Sequence, residues 1–223
     1  MQRFAERFDA FHQRAIDALG WDDFGGTHYQ PALRVLLDSL DATAALSGLA
    51  MEQMSRTIVG LLEGRLYSEH HKRLNPAYRQ QAIERPLFII GLPRSGTTAL
   101  HKLLAADPAN QALAYWLGQT PMPRPPRDTW PALPEFARCK AQLEFIASAA
   151  PELMAIHEMA AHEADECRLL LMQDFANVTF QSNARVPGYE AWLYGADFRP
   201  VYRRYRENLQ LIGLGDNRRW VLK

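Results

Sequence analysis

Apolar side chains recur at intervals of three and four along residues 1–80, which is the repeat of a helix that buries one face. The pattern predicts one helix over 4–19, a second that begins at Pro31 and a third over 51–66. The first of these apolar stripes ends at Gly20, a residue that favours a break. We therefore predict a helical N-terminal region over residues 1–80.

The pattern changes at Leu87, where a continuous apolar run replaces the helical repeat. The run 87–90 suits a strand that is buried on both faces of a parallel sheet. It leads into 91–98, Gly-Leu-Pro-Arg-Ser-Gly-Thr-Thr, and then into a helix with apolar positions up to Leu104. A strand, a glycine-containing loop and a helix form the first half of a βαβ unit, so we predict an α/β fold for residues 81–223.

Later segments alternate between a proline-rich connection and further helical patterns. The prolines of 121–134 argue against a helix or a central strand there. Helical patterns return at Phe136, over 163–175 and over 199–212. The apolar run 220–222, which ends at Lys223, predicts a second buried strand. Two strands are too few for a parallel sheet, so either the sequence is a fragment of a longer protein or the strand prediction is wrong. We favour the fragment, truncated at its C-terminal side.

The charges of the sequence balance, with 25 Lys and Arg residues and 25 Asp and Glu residues. Hydrophobic residues make up 48% of the sequence. Nucleic-acid and anionic-membrane binding depend on an excess of basic residues, which argues against a general binder of either kind. Cys139 and Cys167 stand apart without metal-ligand spacing, which argues against a disulfide framework or a zinc module. With neither a signal-peptide core nor a run of ~18 apolar residues, we predict a cytoplasmic protein without a transmembrane segment.

The loop 91–98 carries the clearest chemistry of the sequence. Gly91 and Gly96 are spaced like the glycines of the nucleotide-binding P-loop, whose amides and following helix start bind phosphate. The P-loop lysine, which reaches the β and γ phosphates, is replaced by Thr97, and a positive charge stands instead at Arg94. No strand ends in an acidic residue that suggests a Mg²⁺ site. The pattern favours a 5′-phosphate group without a γ-phosphate, which fits the chemistry of sulfuryl transfer.

Residues 86–98, Pro-Leu-Phe-Ile-Ile-Gly-Leu-Pro-Arg-Ser-Gly-Thr-Thr, closely resemble the 5′-phosphosulfate loop of sulfotransferases that use 3′-phosphoadenosine 5′-phosphosulfate. The final Arg-Trp-Val-Leu-Lys of 219–223 resembles a later strand of the same family. The helical front end and the proline-rich stretch resemble bacterial members. The resemblance implies an α/β fold with a P-loop-like parallel sheet flanked by helices, in which helices dominate the present sequence.

The resemblance also implies roles for individual residues, with 3′-phosphoadenosine 5′-phosphosulfate as co-substrate and no metal. Lys223 matches a family lysine that lies near the transferred sulfuryl group, and a solvated terminal charge is the alternative account. Together with Arg94 it would stabilise charge during transfer. The 3′-phosphate site is expected beyond residue 223. The residues implied to bind the 5′-phosphosulfate are Pro93, Arg94, Ser95, Gly96, Thr97 and Thr98.

The general base is the least defined part of the predicted site. Family members often carry a glutamate soon after the loop, but this sequence has no acidic residue between Pro108 and Arg127. The nearest alternatives lie in 157–166, where we name Glu166, beside an apolar run, or His157, whose imidazole suits proton transfer near neutral pH. A helix over this segment would place several of its charged side chains on one face, and helix capping is the alternative account.

We predict an enzyme that transfers a sulfuryl group to a hydroxyl or amine of a small molecule, a lipid or a sugar, without a nucleic-acid partner. A P-loop kinase or NTPase is one alternative. Thr97 argues against it, because such proteins carry a lysine at this position. An inactive sulfotransferase-like fragment is another. Aromatic residues outside the regular helices could line an apolar acceptor pocket or pack in the core. They are Tyr115, Trp116, Trp130, Phe180, Tyr189, Trp192 and Tyr194.

Overall fold

The computed structural model of the chain describes residues 3–92, 95–149, 152 and 158–223. The helices and strands, in chain order, are α1 (Phe8–Leu19), α2 (Gln30–Thr43), α3 (Gly48–Leu74), β1 (Leu87–Phe88), α4 (Thr97–Ala105), β2 (Asn110–Ala112), α5 (Tyr115–Gln119), α6 (Pro134–Ala149), α7 (Arg168–Leu171), α8 (Thr179–Asn183), α9 (Pro187–Tyr194), α10 (Arg199–Ile212) and β3 (Arg219–Leu222). Short 3₁₀ helices cover Ala5–Arg7, Pro76–Gln80, Arg127–Ala132 and Met172–Asp174.

Contacts divide the chain into two compact units. The first unit contains residues 1–74 and 170–208, and the second contains residues 75–169 and 209–223. Each unit is therefore built from two separate stretches of sequence. The sequence analysis instead divides the chain once, between residues 80 and 81, and that division stays a prediction.

Among its described residues, the first unit contains helices and connecting loops but no strand. α1 packs on α3, and α2 packs on α9. The apolar stripes seen in the sequence form its core, in which Phe11, Leu33 and Leu62 are fully buried. The three predicted N-terminal helices are confirmed: the first ends before Gly20, the second begins at Gln30, and the third is longer at both ends than its apolar stripe.

A pair of opposite charges lies wholly inside the first unit. Arg65 on α3 and Asp174 are both fully buried, and Nη1 of Arg65 donates to Oδ1 of Asp174 at 2.6 Å. Nε of Arg65 donates to the carbonyl of Phe24, and Nε2 of His28 lies 2.8 Å from the same carboxylate oxygen. Burial lowers the pKa of Arg65 to about 10, so it stays charged at neutral pH. Burial alone would raise the pKa of Asp174, but the hydrogen bond with His28 and the charges of Arg65 and Arg204 outweigh it and lower that pKa.

We predict that Asp174→Asn destabilises the protein by about 3–5 kcal/mol at pH 7, because the Arg65 guanidinium then stays buried without a counter-charge. The folded-state pKa of Asp174 lies below its unfolded value near 4, so the stabilisation is complete above that value. It is lost as the pH falls through the lowered pKa, and the difference between variant and wild type shrinks in acid. Urea unfolding at pH 7 and pH 3 measures both effects.

The control for this experiment is Glu52→Gln, which removes an exposed ion pair with Arg56 on α3. Exposed pairs contribute little, so this variant should keep the wild-type unfolding midpoint. An Asp174→Asn protein as stable as the control would contradict the prediction.

The second unit contains a three-stranded parallel sheet in the order β1-β3-β2. The register pairs Leu87 of β1 and Ala112 of β2 with Val221 of β3, from opposite sides. The central strand is buried at Trp220, Val221 and Leu222. The predicted terminal strand and the parallel α/β arrangement are therefore confirmed, and β2 is an additional strand.

The strand predicted over 87–90 is wrong in its length and its burial. β1 covers Leu87–Phe88 only. Phe88 is 54% exposed and Ile90 is 92% exposed, so the run is not buried on both faces. The reason is that side chains alternate between two faces, and the face that carries Phe88 and Ile90 is left uncovered by the described residues. β1 is also an edge of the sheet among those residues.

The helix predicted over 163–175 begins later than its pattern suggests. α7 starts at Arg168, and the residues before it form an irregular segment in which Ala164 makes an antiparallel bridge with Ala114. Backbone groups that a helix would bond internally are thus bonded to a neighbouring segment. The side chains that a helix would have placed on one face are not so arranged: His162, Asp165 and Glu166.

The proline-rich stretch 121–134 holds one short helix that the sequence pattern did not predict. Arg127–Ala132 forms a 3₁₀ helix with Pro131 inside it, and α6 begins at Pro134. The indole N–H of Trp130 donates to the carbonyl of Pro125 at 3.0 Å, which holds this turn against the preceding chain. The N–H groups on either side of Pro131 hold the turn: Thr129 donates to the carbonyl of Pro126, and Leu133 donates to that of Trp130. The missing N–H of Pro131 is therefore not needed.

Candidate functional site

The loop between β1 and α4 turns sharply into the helix. The hydroxyl and the N–H of Ser95 both donate to the carbonyl of Leu92, at 2.6 and 3.3 Å. Gly96 then takes a left-handed conformation with φ of 83°, and α4 begins at Thr97. The first amides of α4 have no partner within the helix, and its positive dipole end lies at the same turn. This end of the loop therefore suits an anionic group.

Gly91 lies where the chain comes too close to its own loop for any side chain. A Cβ there would lie 2.7 Å from Cγ2 of Thr97 and 2.9 Å from Oγ of Ser95. Both distances are well below ordinary van der Waals contact, so a side chain at this position would displace the side chains of Thr97 and Ser95. Two of the predicted binding residues, Pro93 and Arg94, lie outside the described residues. The others lie together at this turn: Ser95, Gly96, Thr97 and Thr98.

Lys223 comes directly after β3. Because β1 and β3 are neighbouring parallel strands, Lys223 and the loop after β1 lie at the same, carboxyl end of the sheet. Its Nζ donates to the hydroxyl of Thr98 at 2.7 Å and to Oε1 of Glu166 at 2.8 Å. The side chain is only 12% exposed, so the ammonium is held by protein groups. The structure thus brings together three residues that the sequence predicts for the site. His157, the other candidate base, lies outside the described residues.

The segment that carries Glu166 is attached to the end of β3. Oε2 of Glu166 accepts a hydrogen bond from Nε of Arg168 at 2.9 Å. Its backbone N–H donates to Oδ1 of Asp165 at 2.6 Å. The N–H of Cys167 donates to the carbonyl of Lys223 at 2.9 Å. Backbone and side-chain bonds together hold Glu166 beside Lys223.

His101 on α4 belongs to this cluster, although the sequence analysis does not name it. It is buried, and its Nε2 lies 3.2 Å from the carbonyl of Val221, so this nitrogen carries the proton of the neutral ring. Burial lowers the pKa of His101 and the charge of Lys223 lowers it further, whereas the bond to Val221 opposes the shift. His101 connects α4 to β3 close to Lys223. His101 follows Thr97 by four residues and therefore lies on the same face of the helix, which is the sequence signal that could have identified it.

A cavity of about 700 Å³ lies beside β2. Its wall includes Lys102, Arg127 and Trp130, and the guanidinium carbon of Arg127 lies 5.6 Å from the centre of the Trp130 ring. The volume is in the range of small-molecule sites. Of the aromatic residues proposed for an acceptor pocket, Trp130 lines this cavity, whereas Tyr115 and Trp116 are buried in the core.

Within the described ranges, no three histidine, cysteine or acidic side chains are grouped closely enough to hold a metal ion. Nor does any helix described there combine the length and the apolar character needed to cross a membrane. Both cysteines are buried, and neither is part of a disulfide. Burial raises the pKa of Cys139 to about 12, so this thiol is protonated and unreactive at neutral pH.

A parallel strand that leads through such a loop into a helix is the architecture of phosphate-binding α/β proteins. Within that class, the chain belongs to the sulfotransferase family, whose profile matches residues 86–212. The crystal structure of sulfotransferase STF1 from Mycobacterium tuberculosis H37Rv is 42% identical over 100% of this chain, with a TM-score of 0.91. That of sulfotransferase STF9 from Mycobacterium avium is 23% identical over 97% of this chain, with a TM-score of 0.85, and it shares the fold.

This chain spans 62% of the STF1 chain and 56% of the STF9 chain. No curated protein matches the sequence significantly. The comparisons confirm the resemblance to bacterial sulfotransferases on which the sequence analysis relies.

We predict that His101→Gln reduces the loss of stability that the protein shows as the pH falls from 7 to 5. The pKa of His101 is lower in the folded than in the unfolded chain, so the unfolded state binds more protons in this range. The contribution of the neutral histidine is complete above the unfolded value near 6.5 and is lost as the pH falls toward the lowered pKa. The slope that it adds is at most about 1.4 kcal/mol per pH unit.

Denaturant unfolding at pH 5, 6 and 7 measures this slope. Glutamine keeps an N–H donor for Val221 but does not titrate. His162→Gln, which replaces an exposed histidine of the same unit, is the matched control and should keep the wild-type slope. A His101→Gln protein with the slope of the control would show that His101 does not cause it.

Proposed function

We propose that this chain forms the part of a sulfotransferase that binds the 5′-phosphosulfate of 3′-phosphoadenosine 5′-phosphosulfate, whose sulfuryl group passes to a hydroxyl or amine acceptor. The observation that carries the proposal is the bond between Lys223 and Thr98, because it places a largely buried cation at the start of α4, beside the loop. Membership of the family supports the same reaction. The proposed donor-binding residues are Pro93, Arg94, Ser95, Gly96, Thr97 and Thr98.

The groups present at this turn suit a phosphosulfate. The amides at the start of α4, the hydroxyls of Thr97 and Thr98 and the ammonium of Lys223 are all donors for anionic oxygens. Gly91, which has no side chain, lets the side chains of Thr97 and Ser95 lie close to the start of the loop. Arg94 contributes a planar guanidinium that can form two parallel hydrogen bonds with such a group.

In the proposed reaction, the acceptor oxygen or nitrogen attacks sulfur while the bond between sulfur and the 5′-phosphate oxygen breaks. Adenosine 3′,5′-bisphosphate leaves with the electron pair of that bond. Arg94 and Lys223 stabilise the charge that grows on the leaving oxygen. The proton of the acceptor passes to a general base, for which Glu166 and His157 are the candidates from the sequence. The proposal assigns no role to a metal ion.

The acceptor is proposed to be a small molecule, including a lipid or a sugar, and not a nucleic acid. The cavity beside β2 supports this, since its volume of about 700 Å³ suits a ligand of that size. A cytoplasmic location belongs to the same proposal. It is supported by Cys139 and Cys167, which are not joined in a disulfide, as is typical of a reducing compartment.

We predict that Arg94→Ala weakens the binding of adenosine 3′,5′-bisphosphate at least about tenfold, because a hydrogen bond to a charged group contributes about 1.5–3 kcal/mol. Calorimetry on the full natural polypeptide that contains this sequence measures the affinity. Arg127→Ala removes an exposed guanidinium at the cavity and serves as the control with unchanged affinity. Equal affinity of Arg94→Ala and wild type would refute the role of the loop, and Mg²⁺-dependent ATP hydrolysis would favour an NTPase instead.

Gly91→Ala is expected to weaken the binding of adenosine 3′,5′-bisphosphate while the protein stays folded. The added methyl group would displace the side chains of Thr97 and Ser95, and both lie at the turn that binds the anion. Gly60→Ala on α3 is the control, because a Cβ there meets open space. It should keep the affinity and gain up to about 1 kcal/mol of stability. A Gly91→Ala protein that binds the nucleotide as tightly as this control would contradict the proposed role of the turn in binding the anion.

A further inference from the structure

Glu166 has a cation bonded to each of its two carboxylate oxygens. Oε1 accepts from Nζ of Lys223 at 2.8 Å, and Oε2 accepts from Nε of Arg168 at 2.9 Å. Both are charge-assisted hydrogen bonds, the strongest class that side chains form. A general base at this position would have to take the proton of the acceptor on an oxygen that is already committed to a cation.

Lys223, in contrast, depends on Glu166 for its position. A lysine side chain is flexible, and its ammonium has three N–H donors that rotate freely. One of them is bonded to the hydroxyl of Thr98 and another to Glu166. With both bonds made, the ammonium is held between α4 and the segment before α7, and the described residues leave its third donor for an anion at the loop.

The backbone strengthens this arrangement. The N–H of Cys167 donates to the carbonyl of Lys223, so the residue after Glu166 is bonded to the residue that Glu166 holds. The backbone N–H of Glu166 donates to the carboxylate of Asp165, which is a further bond on the main chain at this position. Glu166 and Lys223 are therefore fixed to each other by main chain as well as by side chain.

We propose that Glu166 is a positioning residue, which holds the Lys223 ammonium beside Thr98 for contact with the sulfuryl donor, and that it does not accept the proton of the acceptor. The proposal rests on the proposed function, because it assigns the role of Glu166 within that reaction. Of the two candidate bases from the sequence, His157 then keeps the role.

The chain offers a matched comparison in Glu163, which lies in the same segment and pairs with Lys102, also on α4. Lys102 lies one helical turn from Thr98 and lines the cavity beside β2, away from the end of β3. Glu163→Gln therefore makes the same chemical change as Glu166→Gln, at a carboxylate that holds a different lysine.

The first test measures how fast each lysine is acetylated in the ligand-free protein, by mass spectrometry of its peptides. We expect Glu166→Gln to raise the acetylation rate of Lys223 several-fold and to leave Lys102 unchanged. Glu163→Gln should raise the rate at Lys102 by a smaller factor, because Glu158 still pairs with Lys102, and leave Lys223 unchanged. An unchanged rate at Lys223 in Glu166→Gln would overturn the proposal. The rate at Lys102 also reports whether Glu166→Gln is folded.

The second test is the pH dependence of kcat and the KM for the sulfuryl donor in the full natural polypeptide. We expect Glu166→Gln to raise the donor KM, to lower kcat less than about 100-fold and to keep the acid limb of the kcat profile at the wild-type pH. Loss of a general base lowers kcat by about 10²–10⁴-fold. Such a loss, with the acid limb absent and the donor KM unchanged, would overturn the proposal.

The two tests separate this inference from the proposed function. A wild-type polypeptide that transfers no sulfuryl group would refute the proposed function. The acetylation rates would still decide whether Glu166 holds Lys223, because they require neither donor nor turnover.

Discussion

The second unit depends on the pairing of β3, whose backbone bonds to β1 on one side and to β2 on the other. The register Phe88↔Leu222 makes the loop after β1 and the residue after β3 leave the sheet side by side. A shift of one residue would turn every side chain of the strand to the opposite face. The bond between Lys223 and Thr98 is thus a result of strand register, and His101 adds a second bond between α4 and the same strand.

The helices of the first unit could be predicted because their information is local. An apolar stripe at helical spacing needs only a partner face to bury it, and residues 4–19 and 51–66 carry such stripes. β2 lacks a comparable signal, since its Asn-Gln-Ala has no apolar run. It is held by polar side chains instead: the amide of Gln111 donates to the carbonyl of Arg218, and that of Asn110 donates to the carbonyl of Leu104.

The candidate site shows the same difference between local and distant information. The turn from Gly91 to Thr97 could be predicted, because its glycines, hydroxyls and helix start are contiguous in sequence. The place of Glu166 could not, since it follows from the bridge between Ala114 and Ala164, which brings the segment to the end of β3. The sequence argument named Glu166 for its apolar neighbours within a helix, whereas the structure places it outside any helix, against Lys223.

Arg65 and Asp174 are 109 positions apart in the sequence and yet share a hydrogen bond in the interior of the first unit. Losing either charge alone strands the other one away from water, while exchanging both for apolar residues of similar volume can be neutral or even favourable. The residues at these two positions are therefore expected to change together during evolution. Relatives should carry either the ionic couple or an apolar couple, and the mixed combinations should be rare.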